Sequence, residues 1–127
     1  MQTTATPTSK AKKILIVEDE GDICLLLNII LNGDQTDIDH VSSIAAAKKY
    51  LAEQQPSLIM LDNKLPDGFG LDFIEYIKKE YPAIKIVMIS GFGLSARDLA
   101  LDNGADIFIE KPFTKQEVSS SVEALLN

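Results

Sequence analysis

Four of the apolar runs in this chain end in polar residues that suit a single kind of chemistry. Val17 gives way to Glu18-Asp19-Glu20, Leu61 to Asp62, Ile89 to Ser90, and Ile109 to Glu110-Lys111. Three carboxylates, Glu18, Asp19 and Asp62, brought within a few ångströms repel one another unless a counter-ion joins them. A hard divalent cation relieves that repulsion. Mg2+ takes one or two carboxylates, keeps several waters and adds phosphate oxygens. One such cation and the Lys111 ammonium cancel the three negative charges. No histidine, cysteine or second base accompanies these positions, so a zinc site or a nucleophile–base triad is not supported. Phosphoryl transfer remains, where positioning and charge neutralisation do most of the catalysis. Asp62 is then the nucleophile that forms an acyl phosphate. Lys111 and Mg2+ hold the equatorial oxygens, and Ser90 donates a hydrogen bond to one of them. Any one of these residues alone reads as an ordinary polar loop position; the four together carry the expectation.

The elements that must position them follow from periodicity. Five apolar, β-branched runs alternate with five helical stretches, the pattern of a parallel sheet built from βα units. The first, Lys13-Ile14-Leu15-Ile16-Val17, and the third, Leu58-Ile59-Met60-Leu61, are apolar enough to be covered on both faces. The second, from Thr36 to Val41, carries Asp37, Asp39 and His40 and belongs at a sheet edge, where acids blunt it. The fourth runs from Ile84 to Ile89 and the fifth is Ile107-Phe108-Ile109. Ile23, Leu26, Leu27, Ile30 and Leu31 recur at helical spacing, with Gly33 closing that helix. A second helix from about Ser43 to Gln54 turns Ala47, Tyr50 and Leu51 inward. Pro66, Gly68 and Gly70 mark a loop before a third, which Pro82 ends. The fourth helix starts near Ser95 and is capped by Gly104, and the last opens with the capping box Thr114 and Glu117. With the polar second strand at an edge and right-handed crossovers, the strand order is 2-1-3-4-5, a doubly wound sheet. Its ligands bind outside the carboxyl ends of the strands at the switch point. All four polar stretches end at that rim.

Composition sets the outer bounds. At 127 residues, 46% hydrophobic and 24% charged, the chain is sized for one globular domain. A net charge of −7 repels phosphate backbones and anionic lipid, so neither direct DNA contact nor membrane contact is expected. The single cysteine, Cys24, cannot form an internal disulfide and suits a reducing compartment, so a cytoplasmic protein is expected. Residues 1–11 read as a disordered, solvated tail and residues 12–127 as the folded domain.

At these residues the sequence resembles bacterial response-regulator receiver domains of the single-domain, chemotaxis-regulator type. The segments that carry the likeness are ILIVEDE, LIMLDNKLPDGFGLDFI, KIVMISGFG, NGAD and FIEKPF, in order from about Lys13 to the C-terminus. The resemblance implies a flavodoxin-like fold and a two-component signalling role, with Asp62 as phosphoacceptor and Glu18 and Asp19 as metal-binding acids. It implies Mg2+, with Mn2+ able to replace it, and a further metal ligand from the backbone carbonyl of Lys64. Ser90 takes the switch hydroxyl position, Lys111 the lysine that contacts the phosphoryl group, and Phe108 the aromatic that changes rotamer on activation. The implied donor is a phosphohistidine on a sensor histidine kinase or phosphotransfer protein. The implied output is a downstream protein, or a second copy, at the face of the fourth helix, fifth strand and fifth helix. Beyond its own phosphorylation and dephosphorylation no enzymatic activity is implied. Glu18 is longer than the aspartate more frequent in the family, and Gly91 replaces a common alanine. Lys64 and Phe92 flank the mouth of the expected site. Lys111 precedes Pro112, where a cis bond is accessible and fixes the direction of the lysine.

Other readings compete less well. Gly91-Phe92-Gly93-Leu94-Ser95-Ala96 fits a dinucleotide fingerprint, but that motif belongs in the first βα turn and only one strand follows it here. Flavin phosphate would be repelled by Glu18-Asp19-Glu20, and Lys64 stands where a dehalogenase-type phosphatase has its second aspartate. A receiver-fold interaction module that is never phosphorylated stays open as the alternative.

Overall fold

Leu15, Val17, Ile59, Leu61, Ile86 and Met88 point to one side of a sheet, and Ile14, Ile16, Leu58, Met60, Val87 and Ile89 to the other. This period-2 alternation within all-apolar runs requires a cover on both faces. The structure, a computed structural model, describes residues 12–126; the expectation for residues 1–11 falls outside them. Strands β1 (Lys12–Val17), β2 (Thr36–Val41), β3 (Leu58–Asp62), β4 (Lys85–Ser90) and β5 (Ile107–Glu110) form one parallel sheet in the order 2-1-3-4-5. Helices α1 (Gly21–Leu31) and α5 (Lys115–Leu126) contribute Leu27, Leu31, Val118 and Val122 to one core layer. Helices α2 (Ile44–Glu53), α3 (Gly70–Glu80) and α4 (Leu94–Asn103) contribute Ala47, Leu51, Phe73, Ile74, Ile77 and Ala100 to the other. The doubly wound arrangement expected from the sequence is the one observed.

The local signals hold with four corrections. The Thr114–Glu117 box is reciprocal, Thr114 N–H donating to Glu117 Oε1 at 2.9 Å and Glu117 N–H to Thr114 Oγ1 at 3.1 Å. Gly104 ends α4 in the left-handed region at φ 117°, where a Cβ would also press on the Lys78 side chain 2.7 Å away. Gly33 does not cap α1 in this way. The helix ends at Asn32 in extended backbone, its N–H bonded to the Asn28 carbonyl. Leu26, placed on the inner face of α1 by its spacing, is exposed along with Leu25 and Ile29, because α1 is apolar on more sides than the core can cover. Asp39 is more than a solvated edge charge. Tyr50 donates to its Oδ2 at 2.6 Å and Lys13 reaches it at 3.3 Å, while Lys13 also pairs with Asp37 at 2.8 Å. The expected loop around Pro66 and Gly68 is closed by a two-residue antiparallel ladder, Lys64–Leu65 against Gly68–Phe69.

Two predictions follow from this packing. At Gly70 a Cβ would run into the Asp62 carbonyl oxygen and lie 3.0 Å from Met88 Cε, whereas at Gly91 it meets nothing within 4 Å. Gly70→Ala is expected to cost about 1–3 kcal/mol. Gly91→Ala should lie between unchanged and about 1 kcal/mol more stable; urea unfolding midpoints compare the two. The hydroxyl of Tyr50 and the Lys13 ammonium hold the Asp39 carboxyl below its usual range, against a smaller opposing effect of burial. A lowered folded value means that this stabilisation is present above the unfolded value of about 3.9 and is lost as pH falls through the folded one. Asp39→Asn should therefore be less stable than wild type at pH 7, with the gap closing below about pH 4. Parallel stability–pH curves for the two proteins would exclude this contribution.

Candidate functional site

Strand register brings the polar strand ends together at one rim. Val17 pairs with Leu61 and Asp62 with Ile89, so Glu18 and Asp62 lie side by side across adjacent strand ends. Ser90 pairs with Glu110, and the Lys111 N–H donates to the Ser90 carbonyl at 2.8 Å, which brings Lys111 to the same rim. The Lys111–Pro112 peptide bond is cis. The outcome is a cleft of about 520 Å3 lined by Asp19, Asp62, Lys64, Ser90, Phe92 and Lys111 among others.

Within it Lys111 Nζ donates to Asp62 Oδ1 at 3.0 Å and lies 3.8 Å from Glu18 Oε1. Both acids are buried, Glu18 at 1% side-chain exposure and Asp62 at 5%. Asp19 is exposed at the rim, and one oxygen from each of Glu18, Asp19 and Asp62 falls within 4.8 Å of the others. Such a set of hard oxygen donors fits Mg2+, which prefers carboxylates and tolerates open positions filled by water. The electrostatics agree with an acid cluster short of positive charge. Burial, helped by the neighbouring Asp62 charge, pushes the Glu18 carboxyl up to about 7, against the Glu20 amide that donates to it at 3.1 Å. Burial alone would lower the Lys111 ammonium, but its hydrogen bond to Asp62 and the charges of Asp62, Glu18 and Glu20 outweigh this and raise it. One ammonium thus serves three carboxylates, with Glu20 Oε1 at 3.9 Å.

The other expected residues divide. Ser90 is buried, and its Oγ accepts the Phe92 N–H at 3.1 Å, tying the loop after β4 to the site. Lys64 and Phe92 are exposed at the cleft, as expected for its mouth. Phe108 does not line the cleft. It is half-buried and packs on the core layer that contains Met88, Ala100 and Ala105. His40 is an exposed edge residue, as its position suggested, but its Nε2 donates to the Glu18 carbonyl at 2.8 Å.

Residues that the sequence did not single out also shape the site. Glu20 joins the Lys111 charge network. Asn63 is buried beside Asp62, and its Oδ1 accepts the Leu71 N–H at the start of α3 at 3.0 Å. Asp67, in the loop marked by Pro66 and Gly68, has a carboxylate that accepts the Ile44 and Ala45 N–H groups of α2, each at 2.9 Å. No local signal marks such a partner, because the residues lie more than twenty positions apart.

Comparison with known proteins is in accord with this geometry. Residues 14–123 match the model of the response regulator receiver domain. The chain is 38% identical over 102 residues to the response regulator protein PilR of Pseudomonas aeruginosa, covering 80% of this chain and 23% of that protein. It is 34% identical over 119 residues to the phosphate regulon transcriptional regulatory protein PhoB of Escherichia coli, covering 91% and 52%. The chain thus spans about half of PhoB and less than a quarter of PilR. The crystal structure of the receiver domain of NtrX from Brucella abortus superposes with a TM-score of 0.83 at 34% identity, covering 89% of this chain and 97% of that one. Among the described residues no helix is long and apolar enough to cross a membrane. A buried acid pair bridged by one lysine at the sheet rim, the doubly wound strand order and the matched residues lead to one conclusion: this chain belongs to the response regulator receiver domain family.

Proposed function

We propose that Asp62 accepts a phosphoryl group from a phosphohistidine donor in a Mg2+-dependent reaction, and that the modified domain changes a partner-binding surface. The observation that carries this is the Lys111–Asp62 pair at 3.0 Å with two further carboxylates within 4.8 Å, of which Asp19 lines the same cleft and Glu18 is buried behind it. Glu18, Asp19, Asp62 and the Lys64 carbonyl would hold Mg2+, or Mn2+ in its place. Bound there, the cation supplies neutralisation of phosphoryl charge.

The residues of the chain do the rest. Lys111 pairs with Asp62 in the resting domain and can pass to a phosphoryl oxygen when the carboxylate is esterified. An Asp62 oxygen attacks phosphorus, the P–N bond to the donor imidazole breaks, and the histidine leaves. In reversal to the resting state a water attacks phosphorus, the bond to the Asp62 oxygen breaks, and inorganic phosphate leaves. The Ser90 hydroxyl accepts from Phe92 N–H and keeps its own proton free to donate to a phosphoryl oxygen. Phosphorylation replaces about one negative charge by about −1.5 to −2, which favours a conformation in which the loop after β4 closes on the site. Phe108, half-buried on the α4 side of the sheet, is placed to respond. Output then passes through α4, β5 and α5 to a downstream protein or a second copy, as a shift between two existing conformations. The acidity of this segment disfavours its own contact with DNA. PhoB is named a transcriptional regulator, and this chain matches only 52% of it, so that expectation concerns these residues alone.

Incubation with acetyl phosphate and Mg2+ should add the mass of one phosphoryl group to the wild type and none to Asp62→Asn. Excess EDTA should prevent the gain. Retention of the gain in Asp62→Asn would move the acceptor elsewhere, and no gain in the wild type would favour the unphosphorylated interaction module. Lys111→Ala should slow phosphorylation by about a hundredfold, the typical cost of removing one charge-stabilising donor. Lys64→Ala, which strips a long exposed side chain from the mouth, should shorten the phosphoprotein lifetime several-fold. An unchanged lifetime would show that Lys64 does not limit water access.

A further inference from the structure

The segment between Asp62 and α3 is the least self-sufficient part of the cleft. It contributes Asn63, Lys64, Leu65 and Pro66 to the lining, yet its only secondary structure is a ladder of two residue pairs. A hairpin that short has no stability of its own, and exposed loops open at little cost. Its position therefore depends on what it is tied to.

Besides Leu65, which is buried in the core, two hydrogen-bonded ties exist, one at its base and one at its tip. At the base, the Asn63 carbonyl accepts the Gly70 N–H at 2.7 Å and Asn63 Oδ1 accepts the Leu71 N–H at 3.0 Å. At the tip, Asp67 accepts the Ile44 and Ala45 N–H groups, each at 2.9 Å. Helix α2 already has its own cap, Ser43, whose Oγ accepts the Ala46 N–H at 3.0 Å. The first turn of α2 is thus shared between a local side chain and one from the loop that follows Asp62. A carboxylate at a helix N-terminus forms charge-assisted bonds and is favoured by the helix dipole. In agreement, the Ile44 and Ala45 amides hold the Asp67 carboxyl below its usual range. The ladder residue Gly68 lies so close to α2 that a Cβ there would stand 3.0 Å from Ile44 Cδ1, so the tip is seated on the helix as well as bonded to it.

We propose that Asp67 is a positioning residue for the phosphoacceptor site: by anchoring the tip of the 63–69 segment to α2, it holds the Lys64 main chain at the cleft beside Asp62. The proposal rests on the phosphoacceptor reading above for its purpose, but its structural content is independent of it. If Asp67 served only to cap α2, its loss would resemble the loss of Ser43, which stabilises the same turn without touching the loop. That contrast supplies the control.

The experiment compares wild type, Asp67→Ala, Asp67→Asn and Ser43→Ala by NMR, under conditions where urea unfolding shows all four to be folded. Amide hydrogen exchange is measured on the metal-free proteins, and Mg2+ alone is then titrated. In Asp67→Ala the Lys64 and Leu65 amides should exchange about tenfold faster and Mg2+ should bind about tenfold more weakly, the scale of losing a residue that supports a metal ligand. Asp67→Asn, which keeps one acceptor oxygen, should fall between, and Ser43→Ala should match wild type in both measurements. The proposal is overturned if Ser43→Ala reproduces the changes, or if Asp67→Ala leaves loop exchange unaltered. It is likewise overturned if faster exchange comes without weaker Mg2+ binding. A wild type that takes up no Mg2+ would count against the phosphoacceptor reading instead, and the exchange data would then decide the anchoring by themselves.

Discussion

Two carboxylates buried at the ends of neighbouring strands cannot both stay ionised without a cation, and among the described residues Lys111 is the ammonium that pairs with both. The rest of the site is arranged around this shortage. Glu18 is pushed toward neutrality by burial and by Asp62, and Lys111 is held charged by three acids at once. A divalent cation with oxygen ligands is the remaining source of charge, and a phosphoryl group is the ligand that such a cation and a lysine jointly favour. The resting domain is therefore electrostatically incomplete in a way that suits it to reversible modification.

The scaffold that imposes this arrangement is stiff where the acids are and soft beside them. Strands β1, β3 and β4 are sealed on both faces, so their carboxyl ends cannot drift relative to one another without breaking two core layers. Gly70 brings the start of α3 against the Asp62 carbonyl, closer than any side chain would permit. Around this fixed base the loop after β4 is held through a Ser90–Phe92 bond, and the loop after β3 through Asn63, Asp67 and the buried Leu65. The loop after β4 is held by few bonds, whereas the loop after β3 also buries Leu65 in the core layer of α2, α3 and α4.

The likeness covers 23% of PilR and 52% of PhoB, and 97% of the NtrX receiver domain. Around the acid rim and its lysine lie the Gly91-Phe92-Gly93 loop, with Gly93 at φ 81°, and the capping of α2 shared by Ser43 and Asp67. In the reading proposed above, these surroundings bear on how long a phosphoryl group would last, and the acids and Lys111 on whether one is accepted.

Much of this was legible in the residues themselves. Apolar runs sealed on both faces, a polar second strand and right-handed crossovers were enough for the strand order, and the polar ends of those runs named Glu18, Asp19, Asp62, Ser90 and Lys111. These inferences succeed because period and polarity are local properties that burial enforces strongly. Leu26 and Gly33 misled for the same reason: local spacing and a glycine describe what a helix can do, not how much core is available to cover it or how the chain leaves it. The roles of Asn63, Asp67 and His40 had no local signature. Each bonds backbone groups of another element or a distant turn, at a distance in sequence that no spacing rule constrains. The sequence determined which strand ends would meet, because side-chain alternation leaves only one way to bury them; tertiary structure alone decided which polar side chains hold the intervening loops, because a hydrogen bond depends on where two groups lie in space and not on what surrounds either in the chain.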